Sequence, residues 1–304
     1  VTENRRISAV VVTYNRLEML QRLVKVLADV PGLDEVLVVD NASTDGTGEW
    51  LAGLADGRVH GRTLPSNTGG AGGFHEGLRW AVERDSELVW LMDDDGLPEP
   101  DCLTLLLGRA GDLDFWGPVV VDEADPERLV FPIRLPGGTR VVHAMTEVRR
   151  AAEDGLIRGI VIPFNGVLVT RDLVERIGLP RAEFFIWGDD HEYRLRAERA
   201  GARIATVVDA RVRHPSVGAL GAPMAFGRTT YNDTPSDLKH YCMARNNLVN
   251  LREYAGTLHA LAFVAKTLWF YTFTRRDPGR LRLSVRAWRD ALRGDYTGHE
   301  RFLS

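Results

Sequence analysis

The chain has 304 residues, 44% of them apolar and 26% charged, enough to bury one large core or two modest ones and too apolar for a disordered protein. Its formal charge of -4 excludes a protein that grips nucleic acid over its whole surface, since neutralising phosphates requires a basic excess. Cys102 and Cys242 stand far apart without a paired spacing, which excludes a disulfide framework and a thiolate zinc site and fits a reducing compartment.

Val1 to Arg6 is polar and leads straight into a strand pattern. It lacks the charged-then-apolar order of a signal peptide, so a cytoplasmic chain is expected. Ile7 to Val12 is a β-branched apolar run, followed by a polar turn and by Leu17, Leu20, Val24 and Leu27 at helical spacing. A second apolar run, Val36 to Val39, ends in Asp40-Asn41-Ala42-Ser43-Thr44-Asp45-Gly46, a segment of turn and capping residues, before a helix near Thr47 to Leu54. A third strand is expected near Val59 to Leu64, a glycine-rich helix start at Gly69 to Gly73, and a fourth strand from Leu88 to Met92, running into Asp93. Alternation of this kind predicts a parallel sheet covered by helices, with ligands beyond the carboxyl ends of its strands, where Thr13 to Arg16, Asp40 to Asp45 and Asp93 to Asp95 fall. From Phe115 to Val169 shorter strands are expected, with a turn at Pro136-Gly137-Gly138, then a helix from Asp189 to Ala200 and a strand near Ile204 to Val208. From Leu238 the pattern is helical with Tyr, Trp, Phe and Arg interleaved. Its most apolar stretch, Leu258 to Phe273, contains Lys266 and falls short of the roughly 20 apolar residues of a spanning helix.

Asp93, Asp94 and Asp95 follow a buried strand directly and repel one another unless a cation or a dense set of donors compensates them. Mg²⁺ or Mn²⁺ bound jointly with a nucleotide diphosphate would do so; a solvated acidic turn is the alternative. Asp40 at a strand end is suited to a base or ribose, or to capping. Asn67-Thr68-Gly69-Gly70-Ala71-Gly72-Gly73 has too many glycines for a helix interior, so its backbone suits close approach by a ligand or another segment, or a tight turn. It matches neither the phosphate loop nor the dinucleotide fingerprint. Phe184 to Tyr193 sets aromatics before Asp189 and Asp190 at a helix start, a pattern for a shielded general base or for ordinary dipole-favoured acids. His214, after an apolar strand, is a candidate ligand in an oxygen-rich metal site or a structural histidine.

Taken together, Val11-Val12-Thr13-Tyr14-Asn15-Arg16, Val39 to Gly46, the Asn67 glycine segment, Asp93-Asp94-Asp95 and Trp187-Gly188-Asp189-Asp190 resemble family 2 inverting glycosyltransferases of the GT-A fold. Asn67 to Phe74, Phe164-Asn165-Gly166 and Thr274-Arg275-Arg276-Asp277-Pro278 resemble more narrowly the actinobacterial galactofuranosyltransferases that initiate the galactan of arabinogalactan. The resemblance covers nearly the whole chain and implies an α/β fold, a Rossmann-like mixed sheet flanked by helices with a helical C-terminal extension. It implies a transferase domain over residues 1–235, with a nucleotide half to about residue 115 and an acceptor half after it, and a helical region over 236–304.

By resemblance, Asp40 contacts the uracil or ribose of a UDP-sugar, and Thr13, Asn15 and Arg16 line the nucleotide site with Asn67 and Gly70 nearby. Asp93 and Asp95 hold Mn²⁺ or Mg²⁺ and the diphosphate, Asp94 approaches the donor ribose or sugar, and His214 is the downstream metal ligand. Asp190, the second acid of the pair with Asp189, is the base. Trp187, His191, Arg245 and Asn246 are expected toward the acceptor, although Gly188, standing between Trp187 and Asp189 where polymerising relatives have none, displaces the tryptophan. The implied reaction moves galactofuranose from UDP-galactofuranose to a rhamnosyl-N-acetylglucosaminyl-diphospho-polyprenyl acceptor, a partner held at the inner membrane face. Trp269, Phe270, Tyr271 and Phe273, with Arg275, Arg276 and the arginines beyond, suit peripheral docking there or ordinary amphipathic packing. A rhamnosyltransferase or other nucleotide-sugar transferase, a nucleotidyltransferase, and a non-catalytic nucleotide-sugar or carbohydrate-binding protein are the competing readings.

Overall fold

Ile7–Thr13 (β1) and Glu35–Asp40 (β2) are buried at every position, so both faces of the sheet they build must be covered by helices. In the computed structural model, which describes residues 5–218, 221–224 and 229–303, they are. The start of the polar N-terminal segment lies outside the described residues. The chain forms two units, Val1–Pro180 with Tyr193–Ser216, and Arg181–Glu192 with Val217–Ser304. A short loop and the start of a helix, Arg181–Glu192, thus go with the C-terminal unit.

In chain order the first unit continues with α1 (Leu17–Ala28), α2 (Thr47–Ala52), β3 (Val59–Thr63), α3 (Gly69–Glu83), β4 (Leu88–Asp93), β5 (Leu97–Pro98) and α4 (Cys102–Leu107). Then come β6 (Phe115–Asp122), β7 (Arg128–Arg134), β8 (Val141–Ala144), α5 (Met145–Ala151), β9 (Leu156–Arg158), β10 (Asn165–Thr170) and α6 (Arg171–Ile177). Helix α7 (Asp189–Arg199) has its first turn in the second unit and the remainder in the first, and β11 (Ile204–His214) ends the first unit. The main sheet runs β3-β2-β1-β4-β10-β6-β11-β5. Its first four strands are parallel, as the alternation predicts, whereas β10 lies antiparallel between β4 and β6 and makes the sheet mixed.

Alternate residues of β1 serve opposite faces. Ile7, Ala9 and Val11 meet Leu20, Leu23 and Leu27 of α1, while Val10 and Val12 meet Phe74 and Leu78 of α3. The glycines of α3 are what allow its close approach: a methyl at Gly73 would overlap Val12, and one at Gly77 would overlap Val10 and crowd Val39. The segment is therefore glycine-rich chiefly because another segment approaches it. Gly70 differs, since a methyl there would meet open space. Strand β11 is longer than its sequence pattern suggests because its register against β6 shifts between Val207 and Arg211, an irregularity that keeps the strand paired as far as His214.

The second unit contains β12 (Ala222–Met224), β13 (Thr229–Tyr231), α8 (Asp237–Asn250), α9 (Thr257–Trp269) and α10 (Pro278–Arg293), with wide π-type turns at Leu251–Ala255 and Phe270–Thr274. Ser236 and Asp277 cap α8 and α10 by accepting the amides of Lys239 and Arg280. Its core gathers Tyr241, Ala244, Ala287 and Trp288, beside a cluster of Tyr231, Met243, Phe270 and Tyr271. His240 is fully buried there, its ring nitrogens 2.9 Å from Ser284 Oγ and 3.1 Å from the Tyr271 hydroxyl.

Gly77→Ala is expected to lower stability by about 1–3 kcal/mol, visible as a thermal midpoint several degrees lower, because α3 must shift off β1 and β2. Burial, reinforced by Arg280, pushes the His240 imidazole down to about 4. The unfolded state then binds the extra proton first, so stability present above the ordinary histidine pKa is lost as pH falls from about 6.5 toward 4, on the order of 2–3 kcal/mol. Denaturant titrations across that window should show the slope, and His240→Gln should flatten it.

Candidate active site

Parallel strands leave their last carbonyls and the following loops along one edge, and here the loops after β1, β2 and β4 are tied together. Asn15, in a left-handed conformation at φ 52°, donates its amide to Ser43 Oγ (2.8 Å), and its Oδ1 accepts from the Thr44 amide (2.7 Å). Asp45 accepts the Leu17 amide at the start of α1 (2.9 Å). Asn67 accepts the Gly69 amide (2.8 Å), a turn-forming bond at the entry to α3. Asp40 is fully buried, and its oxygens accept from the Ser43 amide and the Thr63 hydroxyl, both at 3.0 Å.

The acidic triplet does not splay into solvent. Thr13 donates its hydroxyl to Asp94 Oδ2 (2.7 Å), and Arg16 Nη1 lies 3.0 Å from Asp94 Oδ1 and 2.8 Å from Asp95 Oδ2. Burial raises the Asp94 pKa above the ordinary carboxylate range despite those donors. For Asp95 burial acts the same way, but His214 and Arg16 outweigh it and hold its pKa below that range. Asp93 closes β4, its amide donated to the Phe164 carbonyl (3.1 Å).

His214 Nε2 stands 3.1 Å from Asp95 Oδ1. No donor is properly aimed at that oxygen, which is buried without a hydrogen bond, so the contact is an approach of charge rather than a well-directed bond. Burial opposes a charge on His214, yet Asp95 carries its pKa above the ordinary value. The other ring nitrogen, Nδ1, lies 2.7 Å from the Pro215 carbonyl and must donate to it. In the neutral ring that leaves Nε2 as a lone pair facing a carboxylate oxygen, a juxtaposition relieved by a proton on Nε2, which the raised pKa favours, or by a metal cation between them. Orientation of a ligating histidine through its other nitrogen to a backbone carbonyl is the usual support of a metal site. Among the described residues no three His, Cys, Asp or Glu side chains gather as a metal-holding group, so Asp93, Asp95 and His214 do not form a closed cage. Asp95 with His214 fits a Mg²⁺-type ion that takes one or two protein ligands and completes its shell with waters and phosphate oxygens.

In the second unit, residues leading into α7 adopt left-handed backbone at Phe185 (φ 65°), Trp187 (φ 72°) and Gly188 (φ 89°). Strained non-glycine positions of this kind persist only when their surroundings hold them. Asn246 Nδ2 donates to the carbonyls of Phe184 (3.0 Å), Ile186 (3.2 Å) and Trp187 (2.8 Å), Arg245 Nη2 to those of Glu183 and Phe184, and Asn250 Nδ2 to Gly188 (2.8 Å). Arg245 and Asn246, expected toward an acceptor, are fully buried; the Asn246 amide and Arg245 Nη2 serve this loop, whose turned-out carbonyls have no sheet or helix to satisfy them, and Arg245 Nη1 donates to the Tyr296 carbonyl (2.8 Å). Trp187 is half-buried against the Tyr231–Phe270 cluster.

Asp189, Asp190 and Glu192 occupy the first turn of α7. Burial, then the neighbouring charge of Asp190, pushes the Asp189 pKa up. Asp190 is only half-buried, and its Oδ1 accepts the amide of exposed His191 (2.6 Å). Sequence reasoning missed the ties made by Asn41, which bonds Gly69 O and the Thr68 amide, and by Asn250. It also missed Glu192, fully buried with the Tyr254 hydroxyl at 2.5 Å and Arg181 at 3.5 Å. The signal for Asn250 was present: two asparagines four apart on an otherwise apolar helix face must find buried partners.

Residues 8–164 match Glycosyl transferase family 2. The chain is 35% identical over 281 residues to galactofuranosyltransferase GlfT1 of Mycobacterium tuberculosis, covering 89% of this chain and 90% of that protein. It is 31% identical over 301 residues to galactofuranosyltransferase GlfT1 of Mycolicibacterium smegmatis, covering 94% and 96%. Among solved structures, TarS of S. aureus in complex with UDP-GlcNAc is similar with a TM-score of 0.56 at 17% identity, over 97% of this chain and 81% of that one. This last likeness concerns the fold.

Asn246→Ala would take its donor from the Ile186 and Trp187 carbonyls, while Phe184 keeps Arg245 Nη2. A loss of about 2–4 kcal/mol is expected by denaturant unfolding, with faster amide exchange at Phe185 to Asp190.

Proposed function

The chain belongs to Glycosyl transferase family 2, as an inverting glycosyltransferase of the GT-A fold, and we propose that it transfers galactofuranose from UDP-galactofuranose to a rhamnosyl acceptor linked through diphosphate to a polyprenyl lipid. The observation that carries the donor site is the facing pair Asp95 and His214, braced by Arg16. The sugar is supported by 35% identity over most of the chain to a galactofuranosyltransferase, and the acceptor rests on the resemblance of the sequence motifs.

A divalent cation, Mn²⁺ or Mg²⁺, would supply neutralisation of the charge that grows on the departing diphosphate. Asp95 and His214 would hold it. Arg16 keeps the two carboxylates of the triplet from repelling each other and presents a cation to the same negative region. Thr13 and Asn15 stiffen the loop, and Gly70, open to solvent on its Cβ side, gives the nucleotide room. Asp40, sealed by Ser43 and Thr63, shapes the base or ribose pocket chiefly by fixing the loop that follows β2.

A sugar hydroxyl is a weak nucleophile and needs its proton removed as it attacks. Asp190 is the base: the acceptor oxygen bonds to the anomeric carbon, its proton passes to the Asp190 carboxylate, and the bond from that carbon to the diphosphate oxygen breaks with its electron pair. One displacement inverts configuration. Burial, then the neighbouring charge of Asp190, raises the proton affinity of Asp189, which favours its neutral form beside the half-buried Asp190. The strained loop, held by Asn246 and Asn250, fixes where that charge sits.

Turnover should be measured with UDP-galactofuranose, dTDP-rhamnose and UDP-galactopyranose, each with a rhamnosyl acceptor and Mn²⁺ or Mg²⁺. Transfer from UDP-galactofuranose, abolished by chelation, is expected; turnover with dTDP-rhamnose alone overturns the donor. Asp190→Asn should lower kcat about 10²–10⁴-fold with UDP binding retained, whereas Asp189→Asn, which mimics a neutral carboxyl, should stay within about tenfold of the parent.

A further inference from the structure

Helix α9 turns an apolar face to solvent. Leu258 is 81% exposed, Leu261 58%, Trp269 47% and Phe273, in the turn beyond, 61%, with Leu268 on the same side. The spacing of three and four residues places them on one stripe, while Ala260, Thr267 and Phe270 point inward and are buried. Phe270 and Tyr271, grouped in the sequence with the docking aromatics, are thus core residues, and Trp269 and Phe273, with ring centroids 4.8 Å apart, are the exposed ones. A contiguous apolar stripe of this length calls for a partner.

Charge identifies the partner. The chain as a whole carries -4, yet from Thr257 to Arg293 there are eight Lys and Arg residues against two acids, Asp277 and Asp290. Some of these cations are matched by acids: Asp290, under the Tyr241 hydroxyl (2.7 Å), lies 3.5 Å from Arg289, Asp233 pairs with Arg275 and Asp237 with Arg280, whereas Arg276, Arg282, Arg286 and Arg293 are exposed. The exposed side of α10 repeats Arg282, Arg286, Arg289 and Arg293 with Val285 and Leu292 between them. An apolar helix face ending in an exposed tryptophan, with exposed arginines in the turn beyond it and on the next helix, has the chemistry of a helix lying in the headgroup region of an anionic bilayer. The 13 residues of α9 extend only about 20 Å, too short for the roughly 30 Å hydrocarbon core, and among the described residues no helix is long and apolar enough to cross a membrane. A second copy of the chain is a poorer occupant, since a two-fold contact would set one arginine stripe against another.

We infer that α9, with the turn through Phe273, is a membrane-docking surface that seats the protein on anionic lipid, its apolar stripe at the acyl boundary and the α10 arginines among the headgroups. The inference rests on the reading of a lipid-linked acceptor and gives it a place: the enzyme meets its substrate where the polyprenyl anchor lies.

The test is flotation of the full chain with vesicles of phosphatidylcholine alone and of phosphatidylcholine mixed equally with phosphatidylglycerol. Binding to the anionic vesicles is expected, weakened by salt, and reduced at least about tenfold in Leu261→Glu/Phe273→Glu and severalfold in Arg282→Gln/Arg286→Gln. Leu258→Glu, at the most exposed position, provides a second apolar variant should the double one misfold, as judged by circular dichroism. Transfer to a water-soluble rhamnosyl acceptor should be unchanged in all three variants, while transfer to a polyprenyl-linked acceptor in vesicles falls. No binding of the parent protein to anionic vesicles, or equal binding by the apolar variants, overturns the inference. So does light scattering that shows a dimer dissolved by Leu261→Glu/Phe273→Glu in a protein that ignores vesicles. Vesicle binding that behaves as expected without transfer from UDP-galactofuranose leaves the docking surface standing and removes the proposed donor.

Discussion

A carboxylate withdrawn from water must be met by a proton, a cation or a set of donors, and the first unit is organised around that demand. Four parallel strands end along one edge, and two of them, β2 and β4, carry acids there, where the backbone turns outward. Asp40 is met by an amide and a hydroxyl, and Asp94 by Thr13 and Arg16. Asp95 is met only in part. One of its oxygens takes Arg16, and the other faces the Nε2 of a histidine whose opposite nitrogen is already committed to Pro215. A proton on that histidine stabilises the pair, and a divalent ion between the two groups would serve the same end.

The second unit obeys a related rule with backbone carbonyls in place of carboxylates. The loop before α7 turns left-handed at Phe185, Trp187 and Gly188 and so presents carbonyls that no regular element pairs. Buried amide and guanidinium groups of α8 take them up. Removing the helix face would leave that loop, which leads into Asp189 and Asp190, without its donors.

Helix α3 shows how one sequence feature can carry two meanings. Gly73 and Gly77 are small so that the helix can lie on β1 and β2, a packing requirement unrelated to any ligand. Gly70, three residues earlier than Gly73, faces open space. Composition alone cannot separate them, because the lack of a side chain serves either purpose; only the neighbour opposite each Cβ position does.

The sequence by itself determined the alternation of strands and helices, the parallel order of the first half, and the acids at the strand ends, because hydrophobic period and turn chemistry are local properties. Its motifs also sufficed for the family. What only the tertiary structure decided were matters of partnership across distance. These include the antiparallel insertion of β10, the prolonged β11 that sets His214 against Asp95, the burial of Arg245 and Asn246, and the sorting of Trp269 and Phe273 from Phe270 and Tyr271. Each depends on which residues far apart in the chain meet, and a side chain's charge state, exposure and usefulness follow from that meeting rather than from its own chemistry.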